Sequence, residues 1–137
     1  MEFEVDKKYV DKNRIKRVEI EYQDMNYIIA NFIEKVIDIN GELREFSIDD
    51  NKLVDIEKKI WEYENIDEYD YWPDKSKDHA PMATMWRIAW WDMNDNYHHK
   101  SGATKYPDDL MSLVDELKKV WRKNNDLFFL FFVVFYL

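Results

Sequence analysis

Along Thr84–Asp92, TMWRIAWWD, side chains alternate so that Trp86, Ile88 and Trp90 fall on one face of an extended strand and Arg87, Ala89 and Trp91 on the other. Three of the six tryptophans lie in these nine residues, which predicts a central strand buried on one face and partly covered on the second. Val18, Ile20 and Tyr22, separated by Glu19 and Glu21, repeat the period of two and predict a half-exposed strand from Arg14 onward. Met25–Ile39 fits two templates. Its apolar positions fall on one helical stripe, yet it runs into Asn40-Gly41, a strong hairpin signal, followed by Glu42–Ile48. The β-branched residues favour a hairpin joining Ile33–Ile39 to Glu42–Ile48.

Asp49, Asp50 and Asn51 then offer an N-cap, and Leu53, Ile56, Ile60 and Trp61 form the apolar stripe of a helix running to about Asn65. After the Trp-rich strand, Asp92–Asn96 reads as a turn, Tyr97–Ser101 as a returning strand and Gly102 as its break. Pro107 suits the first position of a second helix, with Asp108 and Asp109 in its first turn, basic residues at its far end, and Leu110, Leu113, Val114, Leu117 and Trp121 on its buried face. The expected fold is α+β: a mostly antiparallel sheet of four to five strands packed against two helices, in the order β-ββ-α-ββ-α. The expected organisation is a flexible lead-in over 1–13, a single domain over 14–126 and an apolar tail over 127–137.

That tail, LFFLFFVVFYL, would rise only about 16 Å as a helix, roughly half of a hydrocarbon core, so it is not expected to span a membrane. Three readings stay open: a final buried strand, a plug for a partner or membrane surface, and a non-native extension read through T-rich DNA. Association with a membrane through the tail is the least favoured of the functional readings.

Composition narrows the function classes. At 137 residues the chain can bury a core without a metal or disulfide, and it has no cysteine, which excludes disulfide frameworks and thiolate zinc sites. The opening MEFEVDKKYV lacks a secretory pattern, so a cytoplasmic location is expected. With only two glycines, glycine-rich phosphate cradles are nearly excluded. The net charge of −9 is concentrated in residues 18–78, where eighteen acids face seven bases. Such a balance opposes direct binding of nucleic acid or anionic membranes and favours basic partners.

Candidate chemistry is sparse. Asp92, Asn94 and Asn96 imitate the opening of a calcium loop, but Tyr97 stands where glycine is required and Ala103 where a bidentate glutamate is needed. His98 and His99 point to opposite faces of a strand, so a metal site with His79 is disfavoured. No serine sits in a nucleophile elbow, and neither an enzyme activity, a cofactor nor a metal is expected. One stretch rises above this background: Glu62–Asp74, EYENIDEYDYWPD, has six acids, four aromatic rings and no base. Glu62, Glu64, Asp67, Glu68, Asp70, Tyr71, Trp72 and Asp74 are the candidate partner-binding residues. Their carboxylates can meet the Lys and Arg that a nucleic-acid-binding protein uses for phosphates, while the rings stack on guanidinium groups. The competing reading has Tyr63, Tyr69, Tyr71 and Trp72 pin the loop to the domain while its acids face water.

The second half, in which WRIAWWD leads through Ser101-Gly102 and Tyr106-Pro107 into a helix, resembles small uncharacterised proteins of low-GC bacteria and their mobile elements, and this implies no activity. By size and charge alone the chain is similar to inhibitors of host defence nucleases such as anti-CRISPR proteins. The leading expectation is a protein-binding module that occupies a basic surface of a nucleic-acid-binding protein, as such an inhibitor would. The alternative is a small-ligand-binding or enzymatic domain using Arg87, Trp91 and a histidine on the second face of strand 84–92.

Overall fold

A computed structural model describes residues 13–23, 25–71, 85–103 and 105–122, without the side chains of Tyr69 and Asp70. The expectations for residues 1–12, for 72–84 (Trp72 and Asp74 included) and for the tail 127–137 lie outside these residues. Six strands form one sheet: β1 (Ile15–Tyr22), β2 (Asn26–Asn31), β3 (Val36–Ile39), β4 (Glu42–Glu45), β5 (Met85–Asp92) and β6 (Tyr97–Ala103). Their spatial order is β4-β3-β2-β1-β5-β6, and every pairing is antiparallel. Helix α1 (Asp50–Trp61) follows β4, and helix α2 spans 110–122. The fold is α+β, as the hydrophobic pattern predicts.

Two differences concern the strands. Met25–Ile39 holds two strands, so the sheet has six rather than four or five. The β2–β3 turn contains no glycine or proline to announce it. Instead the Asn31 side chain accepts the N–H groups of Ile33 and Glu34 at 3.0 and 2.8 Å, and Lys35 takes a positive φ of 60°. β5 is an interior strand, but β1 and β2 occupy the middle of the sheet. The Asn40-Gly41 turn forms as expected, with φ of 51° and 94° at its two residues, the conformation a tight two-residue hairpin requires.

Register decides which face is buried. Val18 pairs with Ala30 and Trp90, and Ile20 with Ile28 and Ile88, so these side chains share one face with Ile37, Ile39 and Trp86. A bulge brings Ile15 onto that face: β1 advances from Ile15 to Arg17 while β5 steps only from Asp92 to Trp91. Both helices cover this face. Asp49 caps α1 by accepting the Lys52 N–H at 3.0 Å, and Leu53, Ile56 and Ile60 point into the core. From α2, Leu110, Leu113, Val114 and Leu117 join the same core, and Lys59 of α1 meets Glu116 of α2 at 2.6 Å.

Gly102 does not end β6. The strand runs on to Ala103, and glycine is needed for a different reason: a Cβ there would lie 2.4 Å from Trp86 Nε1 and 2.7 Å from Tyr71 Cβ. The aromatic packing of 71 and 86 occupies the space a side chain would take.

Candidate functional site

The acidic stretch is more ordered than a loop. α1 ends at Trp61 and the chain continues through two short 3-10 turns, Glu62–Asn65 and Glu68–Tyr71. Aromatic side chains hold them. Tyr63 is buried and its hydroxyl donates to Asp109 Oδ1 at 3.0 Å; burial and the neighbouring carboxylate push its phenol well above the ordinary value. The Tyr71 ring sits edge-on to Trp86 at 5.6 Å, with the Lys105 ammonium 5.7 Å from its centre. Lys100 of β6 donates to the Ile66 carbonyl at 3.0 Å.

The acids divide into two groups. Glu68 Oε1 accepts the Ser101 N–H of β6 at 3.2 Å, closing one amide on the free edge of the sheet. Glu64 Oε1 lies 2.6 Å from His98 Nδ1, while His98 Nε2 lies 3.0 Å from Asp92 Oδ2. Ionised carboxylates only accept, so this arrangement is fully satisfied when both ring nitrogens carry protons. The imidazole stacks on Trp90 at 5.1 Å and 12°, and Trp61 meets it edge-on at 4.8 Å. Glu62, Glu64 and Asp67 are exposed and Glu68 is half-buried. Asp70 follows on the second turn. The structure thus ties Glu64 and Glu68 to β6.

Two buried carboxylates have partners that the sequence reading did not identify. Asp92 is buried at the end of β5, where Oδ1 accepts the N–H groups of Asn94 and Asn96 at 2.8 and 3.1 Å. Burial raises its carboxyl, but the bonds from His98 and these amides outweigh burial and hold it below the ordinary carboxylate range. The Asp-x-Asn-x-Asn spacing is therefore an Asx turn, as its missing calcium ligands imply. The second carboxylate is Glu57 on α1, only 3% exposed. It accepts the Ile15 N–H at 2.7 Å, and Arg14 Nε lies 2.9 and 3.1 Å from its two oxygens. Burial raises the Glu57 carboxyl despite both partners.

Other surfaces offer less chemistry. A cleft of about 500 Å³ runs between Asn13-Arg14 and the flank of α1, with Val54, Lys58 and Trp61 on its wall. Glu57 lines it but is spent on Arg14 and Ile15. The second face of β5 is not a pocket. Arg87 pairs with Glu21 at 3.3 Å and Glu19 at 3.8 Å, Arg17 lies over Trp91, and Trp91 leans on Tyr97 at 5.0 Å, giving a sheet surface whose charges are already paired. His99 lies on this face and His98 on the covered one, as their adjacency requires. Among the described residues no three His, Cys, Asp or Glu side chains could hold a metal ion, and no helix is long and apolar enough to cross a membrane. Comparison with protein-family models, curated proteins and solved structures finds no match.

Proposed function

We propose that this chain is a cytoplasmic, non-enzymatic binding module that presents the segment from Glu62 to Asp74 to a basic surface on a partner protein, an inhibitor that stands in for nucleic-acid charge. The observation that supports this reading is the pinning of the segment. Tyr63, Tyr71, Glu64, Glu68 and Lys100 fix both 3-10 turns to the domain, so the exposed carboxylates of Glu62 and Asp67 are held in place before a partner arrives. Binding then forfeits little conformational entropy. The stretch Glu62–Tyr71 contains five acids and no base, which favours Lys and Arg on the partner.

The test separates the two groups of acids. A variant carrying Glu62→Gln, Asp67→Asn, Asp70→Asn and Asp74→Asn removes charge while sparing Glu64 and Glu68. Proteins captured from host lysate by the parent chain should bind the variant at least about tenfold more weakly, roughly 1.4 kcal/mol, and should be released by salt and by added duplex DNA. Equal capture by both chains, or capture indifferent to salt, would sink the reading.

A further inference from the structure

The acidic segment, the sheet and helix α1 meet at His98. Its ring stacks on Trp90 of β5, Trp61 at the end of α1 meets it edge-on, and its side chain is 20% exposed. Both ring nitrogens face carboxylates: Asp92 Oδ2 lies 3.0 Å from Nε2, and Glu64 Oε1 lies 2.6 Å from Nδ1. Other charges on the elements around it have their own settings. Lys100, two residues on along β6, donates to the Ile66 carbonyl; Glu57, one turn before Trp61 on α1, is bound by Arg14; and Glu62, which follows Trp61, is exposed. The two carboxylates on the ring are not equivalent. Asp92 is buried with Oδ1 committed to the Asn94 and Asn96 amides, so an Oδ2 that lost the ring's donor would be stranded away from solvent. The Glu64 side chain is 43% exposed, so water can take the imidazole's place.

We propose that His98 is a proton-operated latch: the imidazolium ties Glu64, and with it the turn Glu62–Asn65, to β6, and the neutral ring releases Glu64 while keeping Asp92. A neutral imidazole carries one proton, and the stranding of Asp92 places it on Nε2. Nδ1 then turns a lone pair toward the Glu64 carboxylate, and two acceptors at 2.6 Å repel each other unless a proton lies between them. The sign follows from which form bonds both acids. With two protons the ring serves Asp92 and Glu64 together. As the pH rises through the range in which imidazoles titrate, about 5 to 8, the Nδ1 proton leaves and the Glu64 tie goes with it. Tyr63, Lys100 and Glu68 still hold the segment, so the first turn loosens at one point without detaching. The latch acts within the chain and stands whether or not the segment meets the partner proposed above.

The experiment is a double-mutant cycle read at two pH values. Glu64→Gln removes the charge of the acceptor, and His98→Gln keeps a neutral donor for Asp92 but has no proton to take up. Urea unfolding of the parent, the two single variants and the double variant gives the coupling between positions 64 and 98. At about pH 5.5, below the ordinary imidazole value and above the ordinary carboxylate values, the coupling should favour the folded chain about fivefold, roughly 1 kcal/mol, the upper end for a partly exposed pair. At about pH 8.5 it should fall below about twofold. The parent alone supplies a second readout that needs no variant to fold. Its His98 ring nitrogens, followed by nitrogen NMR, should both carry protons at the lower pH and only Nε2 at the higher, and the Glu64 amide signal should move over the same pH range. Coupling that is equal at the two pH values, or a neutral ring with its proton on Nδ1, would each overturn the proposal.

Discussion

β4 and β6 bound the same sheet, and their free edges are closed by different means. β4 is four residues long, ELRE, and three of the four are charged. Its Arg44 turns to the covered face, where the guanidinium sits 3.7 Å from the centre of the Trp121 ring, and its Glu42 carbonyl accepts the Trp121 N–H. A short, charged strand is a poor template for another chain. β6 is seven residues long and its sequence, YHHKSGA, has only one full charge. It is closed by cover instead: the 3-10 turns of 62–71 lie along it through Glu64, Ile66, Glu68 and Tyr71. An acidic stretch that composition singles out is thus partly an edge guard.

The sharpest way to break this arrangement is Gly102→Ala. The new Cβ would fall within 2.7 Å of both Trp86 and Tyr71, aromatic side chains set in the packing between sheet and turns. Relief requires moving the second 3-10 turn off β6 or Trp86 out of its place. We expect a loss of about 2–4 kcal/mol in urea unfolding, and faster amide exchange in 62–71 than in β4. Stability within about 0.5 kcal/mol of the parent would mean that the cover is loose.

Asp92 sharpens the comparison through pH, because it anchors the histidine to which Glu64 is tied. Its carboxyl is held below its ordinary value of 3.8 in the folded chain. The stability this contributes is present in full above 3.8 and is lost as the pH falls through the lowered value. Glu57 runs the other way: its carboxyl is raised above 4.5, so its contribution is present below 4.5 and lost as the pH rises through the folded value. Comparing the parent with Asp92→Asn isolates the first effect. The asparagine keeps an oxygen for the Asn94 and Asn96 amides but loses the charge facing His98 and puts an Nδ2 donor where Oδ2 accepted. We expect the variant to be less stable by about 1–2 kcal/mol at pH 7, with the gap closing below pH 3.8. A gap unchanged by acid would show that His98 does not use the charge.

Much of the fold was legible because its signals are local. The alternation of Trp86, Ile88 and Trp90, the Asn40-Gly41 turn and the Asp49 cap each depend on a few neighbouring residues, and each forms as the sequence predicts. The strand boundary at Asn31 was hidden because a side-chain turn replaced the usual glycine. The role of Gly102 was hidden because its constraint comes from Trp86 and Tyr71, sixteen and thirty-one residues earlier in the chain. Composition drew attention to the acids of 62–74, but it could not divide them: the partners of Glu64 and Glu68 lie across the chain on β6, thirty-four and thirty-three residues away.

The smallest expected effect is also the most specific to the edges. Glu68→Ala removes the acceptor of the Ser101 N–H, an amide that faces away from β5 and has the 62–71 segment over it. Water can replace the carboxylate only if the segment lifts, so the loss should be about 1 kcal/mol, with faster exchange of the Ser101 amide. Glu45→Ala takes a carboxylate of the same kind from the other edge strand, where the side chain is exposed. There water already does what a partner would, and the change should stay within about 0.5 kcal/mol. A difference between the two substitutions is what separates an edge closed by cover from one closed by charge. Equal losses would mean that Glu68, like Glu45, is a surface acid and that the cover over β6 does not depend on it.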